Sequence, residues 1–426
     1  MTESADVVVI GAGLAGTAAA ARLAKAGHRV ILLEQRDRIG GGWATQELDG
    51  VTVDAAPPIF SFAAPWRDLF RKSGRALETE FARTGDELAP AAPATHVFAD
   101  GTEFLLPISR GDQDAAIADR FGRPAADRWR DLVDSLAEVW QAMRPLGIEG
   151  ELATEQQLTR PVRKALQATR TVADLARDLD HPQLSAIIND LGYLAGSRPD
   201  RTPAFVAVQL YLDRSFGRWT AGSGATMINI IRQRLQLRGV QIRTGTRALG
   251  ISEQLTVDTD HGTVAGRAVI AGCDPRQLYQ QLLPSTLPPT AARAERRRAR
   301  RLRPALAPSV SLTLVDGPPP AAPTETVRHR SGSAPTISYT RPVGDRTLLS
   351  IHDYASGHPD PAAGAEWRGF RSWLDRPPTT SALPGLYVAG PSSRSGSDPS
   401  AQILSGALAA YAAQRRIAPG RPLEPR

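Results

Sequence analysis

The sequence predicts an α/β protein whose Rossmann-like nucleotide-binding domain is discontinuous along the chain and carries an inserted α+β cap. Three observations support this fold class. A glycine-rich turn joins a buried strand to a helix near the N-terminus, and a second glycine cluster follows the next strand. Near the C-terminus, a strand leads through a loop of small residues into a helix. The nucleotide motifs therefore extend over most of the 426-residue chain.

The first element is the segment VVVIGAGLAGTAAA, residues 7–20. Its first four residues are all β-branched, which is typical of a strand buried on both faces. The glycines that follow have the spacing G-x-G-x-x-G. In this pattern the first allows a tight turn, the second lets a pyrophosphate approach the backbone, and the third lets the helix pack on the strand. We therefore expect a phosphate-binding turn formed by Gly11, Gly13, Leu14, Ala15 and Gly16.

The second element is the strand HRVILLE, which ends at Glu34 about twenty residues downstream. A carboxylate at this position can bind the hydroxyl pair of a ribose and disfavours a 2′-phosphate. The next segment, QRDRIGGGWAT, holds the second glycine cluster, which enzymes that bind an extended FAD often have. We therefore expect further cofactor contacts from Glu34, Gln35, Arg36, Gly41, Gly42 and Trp43.

The third element is the segment GLYVAGPSSRSGSDPSAQILSGALAAY, residues 385–411. It predicts a strand, a loop and a helix that begins near Ser400 or Ala401. A helix N-terminus directed at a flavin suits the N1–C2=O edge, where negative charge accumulates on reduction. The expected cofactor contacts in this segment are Gly390, Pro391, Ala401, Gln402 and Ile403.

Four motifs together carry a family resemblance: the N-terminal glycine segment, VDAAPPI, AVIAGCDP and LYVAGPSSRSGSDPSAQILSG. In this order they resemble the phytoene desaturase-like branch of the FAD-dependent amine oxidase superfamily. The resemblance implies a glutathione-reductase/amine-oxidase type of fold and FAD bound without a covalent link. It also implies hydride transfer from a largely apolar small molecule to flavin N5, plausible for natural-product or isoprenoid biosynthesis. Motif positions add Pro57, Pro58, Ile59 and Ala248 to the expected cofactor residues.

Composition restricts the possible partners. The net charge is +7, and nearly all of the positive charge is arginine, which indicates a GC-rich genome and no nucleic-acid partner. The arginine-rich segment 292–303 predicts a solvated helix face, with peripheral membrane contact as the alternative. A single cysteine excludes an intramolecular disulfide, and no metal site is expected. No apolar run could span a bilayer, so we expect a cytoplasmic protein, or one peripheral to the inner membrane face.

The scattered motifs divide the chain into two discontinuous domains. We expect an FAD-binding domain of residues 1–75, 220–290 and 382–426, and a substrate-binding domain of residues 76–219 and 291–381. Within the cap, VFADGTEFLL predicts a hairpin with an Asp-Gly turn, and TISYTRPVGDRTLLSIHDYA predicts a strand pair. Two long stretches have apolar residues at helical spacing, and DGPPPAAPTETVRHRSGSAP is the expected mobile loop. Those helical stretches are residues 115–146 and 160–194.

Three residues are candidates for acid–base chemistry near a flavin: His352, Asp353 and Arg394. The alternatives are an ordinary strand-end pair for the first two and a surface arginine for the third. The main functional hypothesis is a desaturase whose electrons pass to oxygen or a quinone, because no second nucleotide fingerprint appears. The resemblance makes an amine or amino-acid oxidase less favoured, because that branch commonly has an aromatic residue in the last motif and residues 390–404 contain none. A non-redox flavin isomerase, or a flavin-binding protein without catalysis, remains open.

Overall fold

The computed structural model describes residues 3–221, 226–284, 287, 289–421 and 423. The strands are β1 Glu3–Ile10, β2 Val30–Leu33, β3 Thr45–Leu48, β4 Val51–Asp54, β5 Ile59–Ser61, β6 Leu88–Pro90, β7 Ala94–Val97, β8 Glu103–Leu106, β9 Arg218–Ala221, β10 Gln241–Arg243, β11 Ala248–Ile251, β12 Thr256–Thr259, β13 Gly262–Ala271, β14 Pro304–Asp316, β15 Thr324–Arg330, β16 Ser333–Val343, β17 Arg346–Ala365 and β18 Leu386–Val388. The helices are α1 Leu14–Lys25, α2 Ala64–Ser73, α3 Leu77–Arg83, α4 Arg110–Phe121, α5 Arg123–Met143, α6 Arg160–Ala165, α7 Val172–Asp178, α8 Pro182–Leu194, α9 Val208–Phe216, α10 Thr226–Leu237, α11 Pro275–Gln277, α12 Pro289–Arg301, α13 Ser372–Asp375 and α14 Pro399–Ile417.

The central sheet has seven strands, and its parallel part follows the order β10-β2-β1-β13-β18. Strand β13 is long enough to pair with β18 through its C-terminal part and, antiparallel, with β12 through its N-terminal part. The β-branched run of β1 and all four residues of β2 are buried, as expected for central parallel strands. The predicted α/β fold class is confirmed.

Two helices pack closely at the face of this sheet, and small residues permit the approach. A Cβ atom on Gly16 of α1 would lie 1.9 Å from the carbonyl oxygen of Gly11. A Cβ atom on Gly406 of α14 would lie 2.2 Å from the carbonyl oxygen of Ala15. These contacts place the N-terminus of α1 and the loop before α14 near the same edge of the sheet.

The cap is built on a six-stranded sheet with the order β14-β17-β16-β15-β7-β8. The predicted hairpin is confirmed as β7 and β8, which are antiparallel and joined across Asp100 and Gly101. The predicted strand pair is confirmed as β16 and β17. The helices between β8 and β9 bury a separate core rich in aromatic side chains, including Trp129, Trp140 and Phe205.

Three expectations for the cap differ from the structure. The first long helical stretch is two helices, because Gly122 between them has φ of +89° and ends α4. The second stretch holds three helices, α6 to α8, and residues with positive φ, Gln167 and Asp180, lie between them. The expected mobile loop contains strand β15, which pairs with β16 and β7. Residues 222–225, near the start of the expected FAD-binding segment 220–290, lie outside the described residues.

The arginine-rich segment lies mostly in helix α12, where Arg297 and Arg300 are exposed. Glu295 on the same helix is buried. Its carboxylate accepts hydrogen bonds from the Ser381 hydroxyl at 3.0 Å and the Ala382 amide at 2.7 Å, which fasten the helix to the chain before β18. Among the residues that the structure describes, no helix is long and apolar enough to cross a membrane.

The close approach of α1 and α14 predicts a specific sensitivity. Gly406→Ala should lower the free energy of unfolding by about 1–3 kcal/mol, because the new methyl group overlaps the Ala15 carbonyl and the helices must move apart. Gly111→Ala in α4 is the matched control, since a Cβ atom there meets nothing within 4 Å. The control should be neutral or stabilising by up to about 1 kcal/mol. Chemical denaturation measures both; equal stabilities would contradict the packing argument.

Candidate functional site: a nucleotide cavity and a cap cavity

A cavity with about 1300 Å³ of atom-free space, part of it open to solvent, lies at the carboxyl edge of the parallel strands. We call it the nucleotide cavity. In open α/β sheets this edge is where ligands bind. Many of the residues expected to contact a cofactor line it. They are Gly11, Gly13, Glu34, Gln35, Arg36, Gly41, Gly42, Ala248, Pro391 and Gln402.

The two glycine turns meet at the wall of the nucleotide cavity. Gly11 has φ of +94°, and a Cβ atom on it would lie 3.0 Å from the Gly272 carbonyl oxygen. A Cβ atom on Gly41 would lie 3.0 Å from the Cα atom of Gly13. Gly13 is also the N-cap of α1, and no side chain caps the helix there. The amides of the first turn are therefore available to an anion, and this side-chain-free wall fits a diphosphate.

Glu34 is held at the end of β2 by two backbone amides. Its Oε2 accepts a hydrogen bond from the Ala12 amide at 2.8 Å, and its Oε1 accepts one from the Arg36 amide at 2.9 Å. The side chain is only 7% exposed, so its carboxylate is fixed rather than free to rotate. Each carboxylate oxygen keeps a lone pair that can accept a hydrogen bond from a ribose hydroxyl.

Some residues of the nucleotide cavity were not anticipated. The loop after β13 contributes residues 272–275, and the distal part of β17 contributes residues 360–362. The first group could have been found, because it follows a buried parallel strand as the glycine turn does. Burial raises the pKa of the Cys273 thiol to about 12, so the side chain there is neutral. No sequence pattern indicates residues 360–362, because a long cap strand brings them in.

Other expected cofactor residues do not line the nucleotide cavity. The side chains of Leu14 and Ala15 are buried in the core, and Gly16 packs on the turn below it, which leaves only backbone atoms for a ligand. Trp43 packs against Trp66 with ring centroids 5.4 Å apart. Ala401 and Ile403 of α14 do not line the cavity either, and the last group is Pro57, Pro58, Ile59 and Gly390.

Each of the last group has a structural role or setting of its own. Pro58 is buried and Pro57 is partly buried in the segment that leads into β5. Ile59 packs in a small cluster with Ile337 and Tyr339 of the cap. The Gly390 amide donates a hydrogen bond to the Ser405 hydroxyl at 2.9 Å, which ties the loop to α14.

The N-terminus of α14 differs from the prediction. The helix begins at Pro399, and Asp398 caps it by accepting hydrogen bonds from the Ser400 amide at 2.8 Å and the Ala401 amide at 3.4 Å. The Gln402 amide donates to the Asp398 carbonyl at 2.9 Å. The expected open turn of amides at Ala401, Gln402 and Ile403 is therefore wrong, because a capping carboxylate and the helix itself use these donors. The Gln402 side chain still lines the nucleotide cavity.

Arg394 is buried, which excludes the surface alternative, and backbone carbonyls bind its guanidinium. Nε donates to the Arg376 carbonyl at 3.0 Å and Nη2 donates to the Leu374 carbonyl at 3.0 Å. Nη1 donates to the carbonyls of Leu152 and Ala153. These donors are directed at the cap rather than at either cavity. Arg394 thus fastens the loop before α14 to the cap, and its expected role beside a flavin stays a prediction.

His352 and Asp353 also lie outside both cavities. The His352 Nε2 atom is 2.8 Å from the Ser350 hydroxyl, and burial with the nearby Arg341 charge lowers the pKa of this imidazole to about 4. Asp353 accepts a hydrogen bond from the Ser356 hydroxyl at 2.6 Å. Both side chains are occupied within the cap sheet, so the structure does not join them with Arg394 in a catalytic group.

A second cavity, with about 770 Å³ of atom-free space, lies inside the cap; we call it the cap cavity. Its walls combine aliphatic side chains with an ion pair of Arg218 and Glu325. Asp213 also lines it and hydrogen-bonds to the Ser61 side chain. The Ser61 carbonyl accepts a hydrogen bond from the Ser400 hydroxyl at 3.1 Å. Ser61 therefore connects Asp213 of the cap cavity to the start of α14, and Gln402 of the same helix lines the nucleotide cavity.

Comparisons with known proteins agree with this geometry. Residues 14–350 match the family model for flavin containing amine oxidoreductases. The chain is 25% identical to a hydroxyneurosporene desaturase of Cereibacter sphaeroides, over 95% of this chain and 97% of that protein. It is 29% identical to a phytoene dehydrogenase of Streptomyces griseus, over 50% of this chain and 42% of that protein, so it spans less than half of that relative's length in the match.

Solved structures confirm the fold. Putrescine oxidase bound to putrescine superposes with a TM-score of 0.64 at 16% identity, over 98% of this chain and 99% of that chain. An oxidoreductase from Methanosarcina mazei superposes with a TM-score of 0.65 at 15% identity, over 94% of this chain and 98% of that chain. The fold of the chain is thus shared with these two structures.

The setting of Glu34 predicts its contribution to cofactor affinity. Glu34→Ala should raise the dissociation constant of FAD about 10- to 100-fold, because charged hydrogen bonds in a buried site are lost. Glu34→Gln keeps the shape of the side chain but removes its charge, so its dissociation constant for FAD should lie between those of wild type and Glu34→Ala. Fluorescence titration of apoprotein with FAD measures the effect, and the exposed Glu47→Ala is the control. An unchanged constant would remove Glu34 from the site.

The contacts of Arg394 predict a stability defect. Arg394→Ala should lower the free energy of unfolding by about 2 kcal/mol or more, because several buried carbonyls lose their donors. The exposed Arg371→Ala nearby is the control and should have little effect. Thermal and urea denaturation measure both variants. If Arg394→Ala were as stable as wild type but had a shifted flavin potential, the expected role beside the cofactor would be supported.

Proposed function

This chain belongs to the flavin containing amine oxidoreductase family, and we propose that it dehydrogenates a largely apolar small molecule as a tailoring step in natural-product or isoprenoid biosynthesis. The observation that carries this proposal is the cap cavity, whose walls are mainly aliphatic and which adjoins the start of α14. The similarity to a hydroxyneurosporene desaturase over almost the whole of both chains supports the same reaction class.

The residues of the nucleotide cavity fit FAD. We propose that the glycine turns at Gly11, Gly13 and Gly41 hold the diphosphate and that Glu34 holds a ribose. The loop residue Pro391 and the side chain of Gln402 would contact the flavin end. When bound, FAD supplies the acceptor for a hydride from the substrate. The association would be non-covalent, since no cysteine or histidine stands at the family's usual attachment position.

The segments that form the central sheet and the cap sheet support the proposed division into domains. Strands of the central sheet come from residues 3–10, 30–33, 241–271 and 386–388, within the proposed FAD-binding segments 1–75, 220–290 and 382–426. The cap sheet comes mainly from residues 94–106 and 304–365, within the proposed substrate segments 76–219 and 291–381.

Within the cap cavity, this chain's own side chains would position the substrate and exclude water. Ile187, Leu191 and Leu210 line one cavity with Val327 and Ile337 of the cap sheet. An apolar wall strengthens orientation and keeps the reacting carbon away from solvent. Oxygen or a quinone is the proposed electron acceptor.

Amine oxidation is the second candidate, because acidic side chains also line the cap cavity. Three acidic residues line it: Asp190, Asp213 and Glu325. Asp190 lies 2.8 Å from the His329 imidazole. The other two face Arg218, which lies 3.8 Å from the Asp213 carboxylate and pairs with Glu325. Their charge is thereby compensated, and desaturation remains the better-supported proposal.

The proposal predicts a redox change that can be seen without product analysis. Under anaerobic conditions, the FAD-loaded protein should lose its oxidised flavin absorbance when mixed with a turnover substrate from a screen of polyenes, terpenoids and cyclic amines. Bleaching by an apolar polyene or terpenoid is the expected result. Bleaching by amines alone would establish the second candidate. Conversion of substrate with the flavin still oxidised at the end would establish an isomerase.

Cofactor attachment gives a separate expectation. Acid or heat denaturation should release free FAD into the supernatant, since no covalent link is proposed. Absorbance and mass spectrometry of the supernatant and of the precipitated chain measure the distribution. Flavin that remains with the chain would contradict non-covalent binding.

A further inference from the structure

Three buried polar side chains form a row at the wall of the cap cavity. The His329 Nδ1 atom lies 2.8 Å from the Asp190 Oδ2 atom, at ion-pair distance but without an aligned hydrogen bond. The His329 Nε2 atom lies 2.9 Å from the His96 Nδ1 atom. Asp190, His329 and His96 are 7%, 6% and 6% exposed and come from α8, β15 and β7. This row takes no part in the binding contacts described above.

The packing of the row fixes the orientation of both rings. The imidazoles of His96 and His329 are stacked, with centroids 5.1 Å apart and planes inclined by 16°. Phe98 stacks on His329 with ring centroids 4.8 Å apart, and its centroid lies 6.3 Å from that of His96. The stacking therefore fixes the planes of both rings, with their facing nitrogen atoms 2.9 Å apart.

The positions of the protons on the two imidazoles depend on the charge state of Asp190. Burial raises the pKa of Asp190, and the neighbouring His329 opposes that rise. In its ionised form this carboxylate can only accept, so the His329 proton is then on Nδ1 and its Nε2 carries a lone pair. That lone pair accepts from His96 Nδ1–H, which leaves a lone pair on His96 Nε2. Burial lowers the pKa of His96 to about 3, so this ring is neutral.

His96 Nε2 is the open end of the row. Among the described residues, no group forms a hydrogen bond with this atom, and the His96 ring lines the cap cavity. The charged neighbours already have partners: Arg218 pairs with Glu325, and Arg214 donates to Asp134 at 2.6 Å. The atom is therefore an acceptor that faces the cavity and lacks a donor from the protein.

We propose that the cap cavity binds a hydroxyl group of an otherwise apolar substrate, with His96 Nε2 accepting the hydrogen bond and with His329 and Asp190 fixing the tautomer of that ring. The inference rests on the proposed function, in which this cavity receives the substrate. A hydroxyl supplies the required donor without a charge, whereas a carbonyl supplies no donor. The aliphatic walls fit the remainder of the molecule.

Calorimetric titration of the FAD-loaded protein tests the proposal with three probes on one carbon skeleton: geraniol, geranylamine and the hydrocarbon that lacks a polar group. Wild type should bind geraniol about five- to tenfold more tightly than the hydrocarbon. His96→Phe keeps an aromatic ring for the stack and should abolish this preference without weakening the hydrocarbon. His261→Phe, at an exposed histidine, is the control and should retain the preference.

A spectroscopic measurement tests the positioning role of Asp190. In ¹⁵N-histidine-labelled protein, His96 should be the neutral tautomer protonated on Nδ1. Asp190→Asn removes the ionised acceptor and should shift the tautomer populations of both histidines, whereas a purely structural role would leave them unchanged. His96→Gln provides a second variant if His96→Phe fails to fold, because its amide oxygen can accept and should restore part of the preference.

Other outcomes overturn the proposal. Equal affinity of wild type for geraniol and the hydrocarbon, or a preference that survives in His96→Phe, would remove His96 as the acceptor. Tightest binding of geranylamine would show that the site selects an ammonium group. Flavin bleaching is measured separately: His96-dependent geraniol binding without any bleaching substrate contradicts the proposed function alone, whereas bleaching by hydrocarbons with no alcohol preference contradicts only the inference.

Discussion

The close approach of backbone to backbone around Gly11 is the constraint on which the rest of the structure depends. Gly16 lies against the Gly11 carbonyl, and Gly406 lies against the Ala15 carbonyl, at distances that leave no room for a methyl group. Helix α1 is therefore pressed between strand β1 and helix α14. This packing brings the uncapped N-terminus of α1 and the loop before α14 to one edge of the sheet, which creates the nucleotide cavity.

The nucleotide cavity is formed by segments that are distant in sequence, and pairing within the central sheet brings them together. Strand β13 lies beside β1 and carries β18 on its other side, so the loops after all three strands open at the same edge. The distal part of β17 then closes the cavity with residues 360–362. Discontinuity in the chain is thus the consequence of parallel pairing, because each parallel neighbour must return through a long connection. The cap occupies those connections.

The expected outcome for Glu34 comes from a feature that the sequence predicts, whereas the expected outcomes for Gly406 and Arg394 depend on contacts between distant segments. The glycine turn and Glu34 depend on neighbours within one βαβ unit, so spacing alone locates them. Arg394 lies in an equally suggestive motif, yet its role is set by carbonyls at residues 152, 153, 374 and 376. Likewise, His352 is next to Asp353 in sequence but bonds to Ser350. Long-range packing, which spacing does not encode, decides these cases.

Arg394 and the row of Asp190, His329 and His96 show how long-range packing distinguishes a structural polar side chain from one that can bind a ligand. Arg394 donates four hydrogen bonds to backbone carbonyls, which hold its guanidinium against the cap. The row that ends at His96 differs, because the described residues offer no donor to its Nε2 atom and His96 lines a cavity. Burying an acceptor without a partner costs free energy, so its persistence is explained if a ligand supplies the donor. The open position at His96, more than the number of polar residues, therefore marks the cap cavity as a selective binding site.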